Sequence, residues 1–362
     1  MAHSTDYEQT PGIKFSVSEF TGALGDSVTV FPVVVAIGAL TDLSLTQLLL
    51  GFAVFQVVWG LYYGLPMSVE PMKALAALVI AGSLTAGELA VAGLLTGGIL
   101  LVVGWAGALG RITQFIGQPV IRGVQVAVAL ILLETGVQLS LNSIPLALIA
   151  ITTAGVVILA GYQRASALVV LCVGVGITVV QTGLPAPVYP SVAVGLPDTQ
   201  ALSIAAVEGT VAQLAMTVGN AAVATSLLLS DYYDADVSAD ELASSMGVMN
   251  LIAIPLGAMP MCHGSGGVAG KYAFGARTAG SNLILGVIYA IAAVVAVGIV
   301  AAFPLSMLGV VLALIAVELA RAGLDTNNLA LTIGIGVIGV VTNVGIAFVL
   351  GAFGYLLLKR FQ

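Results

Sequence analysis

Residues 65–73 read LPMSVEPMK, and residues 259–267, in the other half of the chain, read MPMCHGSGG. Neither stretch can be helical throughout, because proline disfavours helix in the residue before it and glycine is a poor helix former. In the first stretch we expect residues 66–70 to be extended and a short helix to start near Glu70, since Pro71 suits the first turn of a helix. The second stretch predicts extended chain, then a glycine-rich segment and another short helix.

The chain around these stretches has the composition of an integral membrane protein. Of its 362 residues, 59% are apolar and 7% are charged, whereas about 25% are charged in an ordinary soluble domain. The expected surroundings are therefore a lipid bilayer. No basic cluster indicates a nucleic-acid partner, and no nucleophile–base pair indicates an enzyme. Two cysteines and two histidines predict no metal site, no cofactor and no disulfide framework.

The apolar segments predict many membrane crossings, since a spanning helix needs about 20 apolar residues. Segment 326–357 is long enough for a tight helical hairpin, whereas 66–82 and 260–275 are short and interrupted. Counting the hairpin as two and each interrupted stretch as one gives fourteen segments. The remaining predicted spans are 18–40, 43–63, 86–109, 117–139, 143–162, 165–183, 203–229, 242–258, 278–302 and 304–322.

Lysine and arginine positions predict the orientation, because cytoplasmic loops carry the excess of basic residues. With the N-terminus inside, the outer connections near 41–44, 82–88 and 183–200 hold no basic residue. We expect a multi-pass protein of the cell membrane with both termini cytoplasmic. The basic residues that then fall on the cytoplasmic side are Arg111, Arg164, Arg277, Arg321, Lys359 and Arg360.

The two halves of the chain repeat each other. Asp26 and Asn220 lie 194 positions apart, and so do Pro66 and Pro260. With seven segments in each half, an odd number, the second copy must be inverted in the membrane, as in many secondary transporters. The predicted organisation is a cytoplasmic tail at 1–15, a first repeat at 16–183, an extracytoplasmic linker at 184–202 and a second repeat at 203–362.

The two interrupted stretches predict an anion-binding site. In an inverted pair the two short helices point their N-termini at each other near the midplane, and each N-terminus offers free N–H groups and about half a positive charge. The alternative is that the glycines only permit close helix packing. The candidate substrate-binding residues are Ser68, Val69, Glu70, Lys73, Asn220, Cys262, His263, Gly264, Ser265, Gly266 and Gly267.

Two carboxyl groups are candidates for coupling transport to protons. Asp26 lies in an otherwise uncharged helix, so it should be protonated, paired or facing a cavity. Glu70 would repel an anion unless it is protonated or paired with Lys73, and a purely structural ion pair with Lys73 remains the alternative. For His263 the ordinary interpretation is a hydrogen bond to a backbone carbonyl, and a substrate or gating contact is the other.

Three stretches resemble the molybdate transporter family, which is related to the sulfate permeases: GDSVTVFP at 25–32, PMSVEPMKALAA at 66–77, and GAMPMCHGSGG at 257–267 with YAFGAR at 272–277. The similarity extends from about Glu19 to Arg321. It implies an all-α, uracil permease-like fold of about fourteen segments in two inverted repeats. A core domain would bind substrate between the third and tenth segments and move against a gate domain. Dimers are common in the wider superfamily, and the resemblance implies no C-terminal regulatory domain here.

The chain departs from the family pattern at two positions. The family usually has glutamine where this chain has Glu70, and the run from Gln213 to Thr217 lacks a proline. The predicted function is import of a tetrahedral oxyanion, molybdate or sulfate. Transport would be coupled to protons and would proceed by alternating access. The alternatives are a carrier of nucleobases or other organic anions on the same fold, and an anion channel.

Overall fold

The computed structural model describes residues 12–187 and 194–361. Residues 1–11 of the predicted tail and 188–193 of the predicted linker lie outside this range. The described part of the chain is almost entirely helical, with one pair of two-residue strands, β1 (Glu70–Pro71) and β2 (Met261–Cys262). The helices are α1 (Val17–Leu40), α2 (Leu45–Tyr63), α3 (Lys73–Ile80), α4 (Ala86–Trp105), α5 (Leu109–Ile116), α6 (Gln118–Ser140), α7 (Ile144–Leu159), α8 (Ser166–Thr182), α9 (Ile204–Met216), α10 (Ala224–Tyr233), α11 (Ala239–Ala253), α12 (Ser265–Ala273), α13 (Gly280–Ala301), α14 (Leu305–Leu324), α15 (Leu329–Val341) and α16 (Val344–Phe361).

Within residues 12–187 and 194–361, eight helices are long and apolar enough to cross a membrane. They include α1, α2, α4, α6, α13 and α14, and two helices that run on through irregular turns, Gln163–Thr182 and Ile204–Tyr233. Two further apolar helices, α7 and α15, are shorter. Segment 326–357 forms two helices, α15 and α16, which meet at residues 342–343 as the predicted hairpin requires.

Two predicted segments are interrupted at positions where the sequence pattern predicts continuous helix. In predicted segment 86–109, helix α4 ends at Trp105. Gly107 then adopts a left-handed conformation with φ of 60°, and α5 begins after it. The segment that starts at residue 203 contains a π-helical turn, Thr217–Val223, between α9 and α10. Such turns inside helices are frequent at functional sites, and this one contains Asn220.

The two interrupted stretches form short antiparallel strands that pair with each other, Glu70 opposite Cys262 and Pro71 opposite Met261. The prediction that the first short helix starts near Glu70 is wrong, since α3 begins at Lys73. Pro71 lies in the strand, and the N–H of Met72 donates to the carbonyl of Pro260 at 3.0 Å. Helix can therefore begin only after Met72.

The helices pack into two bundles. In the first bundle α4 packs on α11, α2 on α13, and α1 on both α12 and α13, with α3 and α9 alongside. In the second, α6 packs on α14, α15 and α16, and α7 on α8 and α14. The bundles meet where α9 contacts α16 and α6, where α3 contacts α6, and where α8 and α14 contact α1. Both interrupted stretches lie in the first bundle.

Glycines set the closest approach within the first bundle. Helices α1 and α12 cross at Gly25 and Gly270, and a methyl group built on either glycine would lie 2.8 Å from the other's carbonyl oxygen. This crossing brings the middle of α1, with Asp26, against the first turns of α12.

Candidate anion-binding site

The first turn of α12 holds a carboxylate. Glu70 extends from β1 so that its Oε1 accepts the N–H of Gly267 at 2.7 Å and the hydroxyl of Thr29 at 3.3 Å. A carboxylate at a helix N-terminus is stabilised by the free N–H groups and the helix dipole. The position predicted to bind an anion therefore binds the chain's own carboxylate in this structure.

Glycine is required at two positions around this carboxylate. A Cβ on Gly264 would overlap the carboxyl group of Glu70. A Cβ on Gly267 would overlap oxygens of Ser68, Asp26 and Glu70. These glycines thus allow side-chain oxygen atoms to approach the backbone closely. The alternative interpretation, that the glycines only permit close helix packing, does not account for these contacts.

Lys73 completes the surroundings of Glu70. Its Nζ lies 2.7 Å from Glu70 Oε2, so the ion pair that the sequence left open is present. The Glu70 side chain is 1% exposed, whereas that of Lys73 is 31% exposed. The pair therefore bridges the buried site and its accessible rim.

The rim also includes the first residues of α12. Gly266 is exposed and Ser265 is half-buried. Among the described residues, no hydrogen bond involves the Ser265 hydroxyl. An anion that approaches Lys73 from this side would meet that hydroxyl and the N–H groups at the start of α12.

The start of α3 is not free, contrary to the sequence prediction. The side-chain oxygen of Gln213, from α9, accepts the N–H groups of Ala74 at 3.0 Å and Leu75 at 3.4 Å. The Gln213 amide donates to the Thr217 hydroxyl at 2.9 Å. A neutral amide caps the helix but leaves its dipole uncompensated by charge, so α3 still favours an anion nearby.

Asp26 lies beside this site in a sealed network. Its Oδ1 accepts the hydroxyl of Ser68 at 2.6 Å, and its Oδ2 accepts the amide of Gln56 at 2.8 Å. Lys271 Nζ lies 3.2 Å from Oδ2, and both side chains of this pair are 0% exposed. Of the three states expected for Asp26, the structure has the paired one.

Lys271 holds the network together, and it was not among the residues predicted for the site. Its Nζ donates to the carbonyl of Met67 at 2.6 Å, to Asn282 Oδ1 at 2.9 Å and to Gln56 Oε1 at 3.1 Å. The signal was present in the sequence, because a lysine inside an apolar helix calls for a buried partner. The partners Gln56 and Asn282 gave no comparable signal.

His263 and Cys262 are buried, and both contact backbone carbonyls of the first interrupted stretch. Nδ1 of His263 lies 3.1 Å from the carbonyl oxygen of Ser68, and Nε2 lies 2.9 Å from the Ser245 hydroxyl. The ring packs edge-on against Trp59, and the residue is fully buried. The backbone-carbonyl interpretation of His263 is therefore confirmed. Cys262 is also buried, with its sulfur 3.8 Å from the Pro71 carbonyl oxygen.

The structure brings together all the predicted site residues on the two interrupted stretches. Val69 is buried there, and its carbonyl accepts the Gln56 amide at 3.2 Å. Asn220 is the exception: it is half-buried in the π-helical turn. Within residues 12–187 and 194–361, no hydrogen bond joins it to either stretch. The same ranges contain no grouping of three metal-ligating side chains.

A cavity of about 380 Å³ opens between the two bundles, away from Glu70. The ends of α3 and α6, the start of α9 and the turn between α15 and α16 line it, and Glu134 and Glu208 contribute carboxylates. Glu208 accepts the side-chain amide of Asn343 at 2.8 Å, which joins α9 to the α15–α16 turn. The surface between the bundles is thus partly open and partly bridged.

Comparison with known families gives a match in each half of the chain. The family model described as "Molybdate transporter of MFS superfamily" matches residues 18–132 and 205–319, more than half of the chain. "Molybdate transporter 2" of Arabidopsis thaliana is 30% identical over 408 residues, which cover 94% of this chain and 87% of the relative.

Solved structures share the fold at low sequence identity. The transmembrane domain of the cyanobacterial bicarbonate transporter BicA matches with a TM-score of 0.70 at 17% identity, covering 92% of this chain and 97% of that one. The murine Solute Carrier 26 family member A9 anion transporter, in the inward-facing state, matches with a TM-score of 0.69 at 13% identity, covering 96% and 69%. These likenesses show that the chain shares the fold of both proteins.

Proposed function

Because the chain belongs to the molybdate transporter family, we propose that it carries a tetrahedral oxyanion, molybdate or sulfate, across the cell membrane. The observation that carries the proposal is the carboxylate of Glu70 between the Gly267 N–H and Lys73. A site that binds a carboxylate through a helix N-terminus and a lysine has the donors that an oxyanion requires.

The proposed substrate-binding residues lie around this point. Lys73 and Ser265 contact the anion from the accessible rim, and the N–H groups of 264–267 bind it from the start of α12. Ser68, Val69, Cys262 and His263 support the site through the buried contacts described above. Asn220 takes part only if a movement of the π-helical turn brings it closer.

Transport proceeds by alternating access in this proposal. The first bundle, which holds the whole site, moves against the second, as core against gate. The separate packing of the two bundles supports this, and so does the cavity between them. The Glu208–Asn343 hydrogen bond is a contact that such a movement must break.

The topology belongs to the same proposal. Fourteen segments in two inverted repeats agree with the antiparallel pairing of β1 with β2 and with a family match in each half. Both termini are cytoplasmic, and the protein forms a homodimer. Import is coupled to protons that bind at one of the two buried carboxylates, Asp26 or Glu70.

Competition for uptake tests the proposed substrate. Purified protein in proteoliposomes, with an inward proton gradient, should accumulate labelled molybdate with saturation, and excess tungstate or sulfate should block this uptake. Uracil and bicarbonate are the contrasting competitors. Block by uracil alone would favour the nucleobase carrier, and uptake linear in concentration would favour a channel.

Ser265→Leu tests the site. The larger apolar side chain at the start of α12 should abolish uptake, because it removes a hydroxyl donor and covers the Gly266 N–H. Membrane abundance should stay normal, since Ser265 is only half-buried. Normal uptake by this variant would place the substrate elsewhere.

A further inference from the structure

Glu70 occupies the position that the substrate needs. We propose that its carboxylate is an internal ligand of the anion site, and that an arriving oxyanion replaces it while Glu70 takes up one proton. The inference rests on the proposed function and adds a competition between substrate and side chain. It also assigns the proton to Glu70 rather than to Asp26.

The contacts of Glu70 are those of a bound anion. One oxygen accepts a helix N-terminal N–H at 2.7 Å and the Thr29 hydroxyl at 3.3 Å, and the other lies 2.7 Å from Lys73 Nζ. Carboxylates and tetrahedral oxyanions use the same donors: helix N-termini, ammonium groups and hydroxyls. Both therefore compete for Gly267 and Lys73.

The site has no room for both. The Glu70 carboxyl group lies so close to Gly264 and Gly267 that even a methyl group on either glycine would overlap it. An oxyanion that reaches the Gly267 N–H must therefore displace Glu70. Exposed Gly266 and the partly exposed Lys73 leave a route by which it arrives.

Charge balance favours the exchange when Glu70 is neutral. Lys73 carries one positive charge, and the N-termini of α3 and α12 add about half a charge each, so the donors total about two. A divalent oxyanion balances them if Glu70 is protonated. If Glu70 stays ionised, the pocket carries about one excess negative charge, and the displaced carboxylate loses its ion-pair partner in a buried position, which is costly.

The ionisable groups near Glu70 favour this assignment. Asp26 has its own cation, because Lys271 Nζ lies 3.2 Å from its Oδ2. Lys73 is the cation that changes partner. The ionisable groups that face or electrostatically influence Glu70 are Lys73, Asp26, Lys271, Cys262 and Tyr289.

Anion binding to the purified transporter in nanodiscs tests the proposal. Binding of labelled molybdate and of labelled sulfate is measured between about pH 5.5 and 8.5. The wild-type dissociation constant should rise about tenfold per pH unit, wherever Glu70 is ionised in the free protein and protonated in the complex. In Glu70→Gln it should be independent of pH and lower than wild type at the alkaline end. Glu318→Gln, which removes an exposed carboxylate on α14, should keep the wild-type slope.

Proton uptake on binding tests the same step without a variant. In weakly buffered solution, sulfate should bind to the wild-type protein with uptake of about one proton per anion. Sulfate is the better probe here, because its own protonation lies at far lower pH than molybdate's. Binding with no pH slope and no proton uptake overturns the internal-ligand proposal but leaves the substrate class intact. Absence of oxyanion binding at every pH, in wild type and variant alike, overturns the proposed function and this inference with it.

Discussion

Two lysine–carboxylate pairs lie side by side in the first bundle, and they differ in burial and in number of partners. Asp26–Lys271 is fully sealed, and the lysine has three further hydrogen-bond acceptors. In Glu70–Lys73 the lysine is 31% exposed, and the ion pair with Glu70 is the contact found for its Nζ among the described residues. The same chemistry therefore serves two purposes: the sealed pair holds α1, α2, α12 and α13 together, and the rim pair is free to exchange its anion.

The difference follows from how each lysine enters the site. Lys271 lies in α12 and points into a cage of backbone and amide oxygens, so losing its charge leaves those acceptors and Asp26 without a donor. Lys73 is the first residue of α3, where its long side chain reaches the accessible rim. Breaking a sealed pair should therefore affect folding, whereas breaking the rim pair should affect binding.

Lys271→Met gives the largest expected effect. It leaves the Asp26 carboxylate buried without its cation, which typically costs about 3–5 kcal/mol of stability. We expect loss of monodisperse protein or a large drop in thermal unfolding temperature. The double variant Asp26→Asn with Lys271→Met should recover part of the loss, because no unpaired charge remains. A single variant as stable as wild type would contradict the structural role of this pair.

Gly267→Ala should have the next largest effect, on binding. The added methyl group overlaps oxygens of Ser68, Asp26 and Glu70, so either these side chains or the start of α12 must shift. Molybdate binding should weaken by about a hundredfold, corresponding to about 2.7 kcal/mol. Gly98→Ala on α4, where a methyl group meets nothing within 4 Å, is the matched control and should bind as wild type. Equal binding by both variants would place the substrate away from Gly267.

Lys73→Met should produce the smallest of the three effects. A charged hydrogen bond to an anion contributes about 1.5–3 kcal/mol. The partly exposed Lys73 should lie at the lower end of this range, so binding should weaken about tenfold. Stability should fall less than in Lys271→Met, because Lys73→Met leaves Glu70 without its cation, whereas Lys271→Met also leaves three further acceptors without a donor. This separation of binding from stability sharpens the contrast with Lys271→Met. A large loss of stability in Lys73→Met would mean that the two pairs do not differ as described.

The sequence predicted the type of fold and the two places where helix is interrupted, because both depend on local pattern. Apolar segment lengths indicate spanning helices, and prolines with glycines at 66–71 and 260–267 mark the interruptions. What it missed depends on the partners in space. The pairing of β1 with β2 moved the start of α3 from near Glu70 to Lys73.

The side-chain cap of α3 was also not predictable from the sequence pattern. Gln213, more than a hundred residues from α3 in sequence, supplies the oxygen that caps it. Lys271 has its partner Asp26 at a similarly large separation. An isolated sequence shows that such polar residues lie in apolar helices, but it does not show which of them meet. Asn220 is the opposite case. It occupies the position in the second repeat that corresponds to Asp26, but it makes no hydrogen bond with either interrupted stretch among the described residues.

The most direct test of the account is a structure of the transporter with molybdate bound, determined in nanodiscs. We expect a molybdate oxygen on the Gly267 N–H and near Lys73, with the Glu70 carboxyl turned away. We also expect Asp26 and Lys271 to remain paired at about their present separation of 3.2 Å. Molybdate bound elsewhere, with Glu70 still on Gly267, would contradict the exchange of ligands at this site.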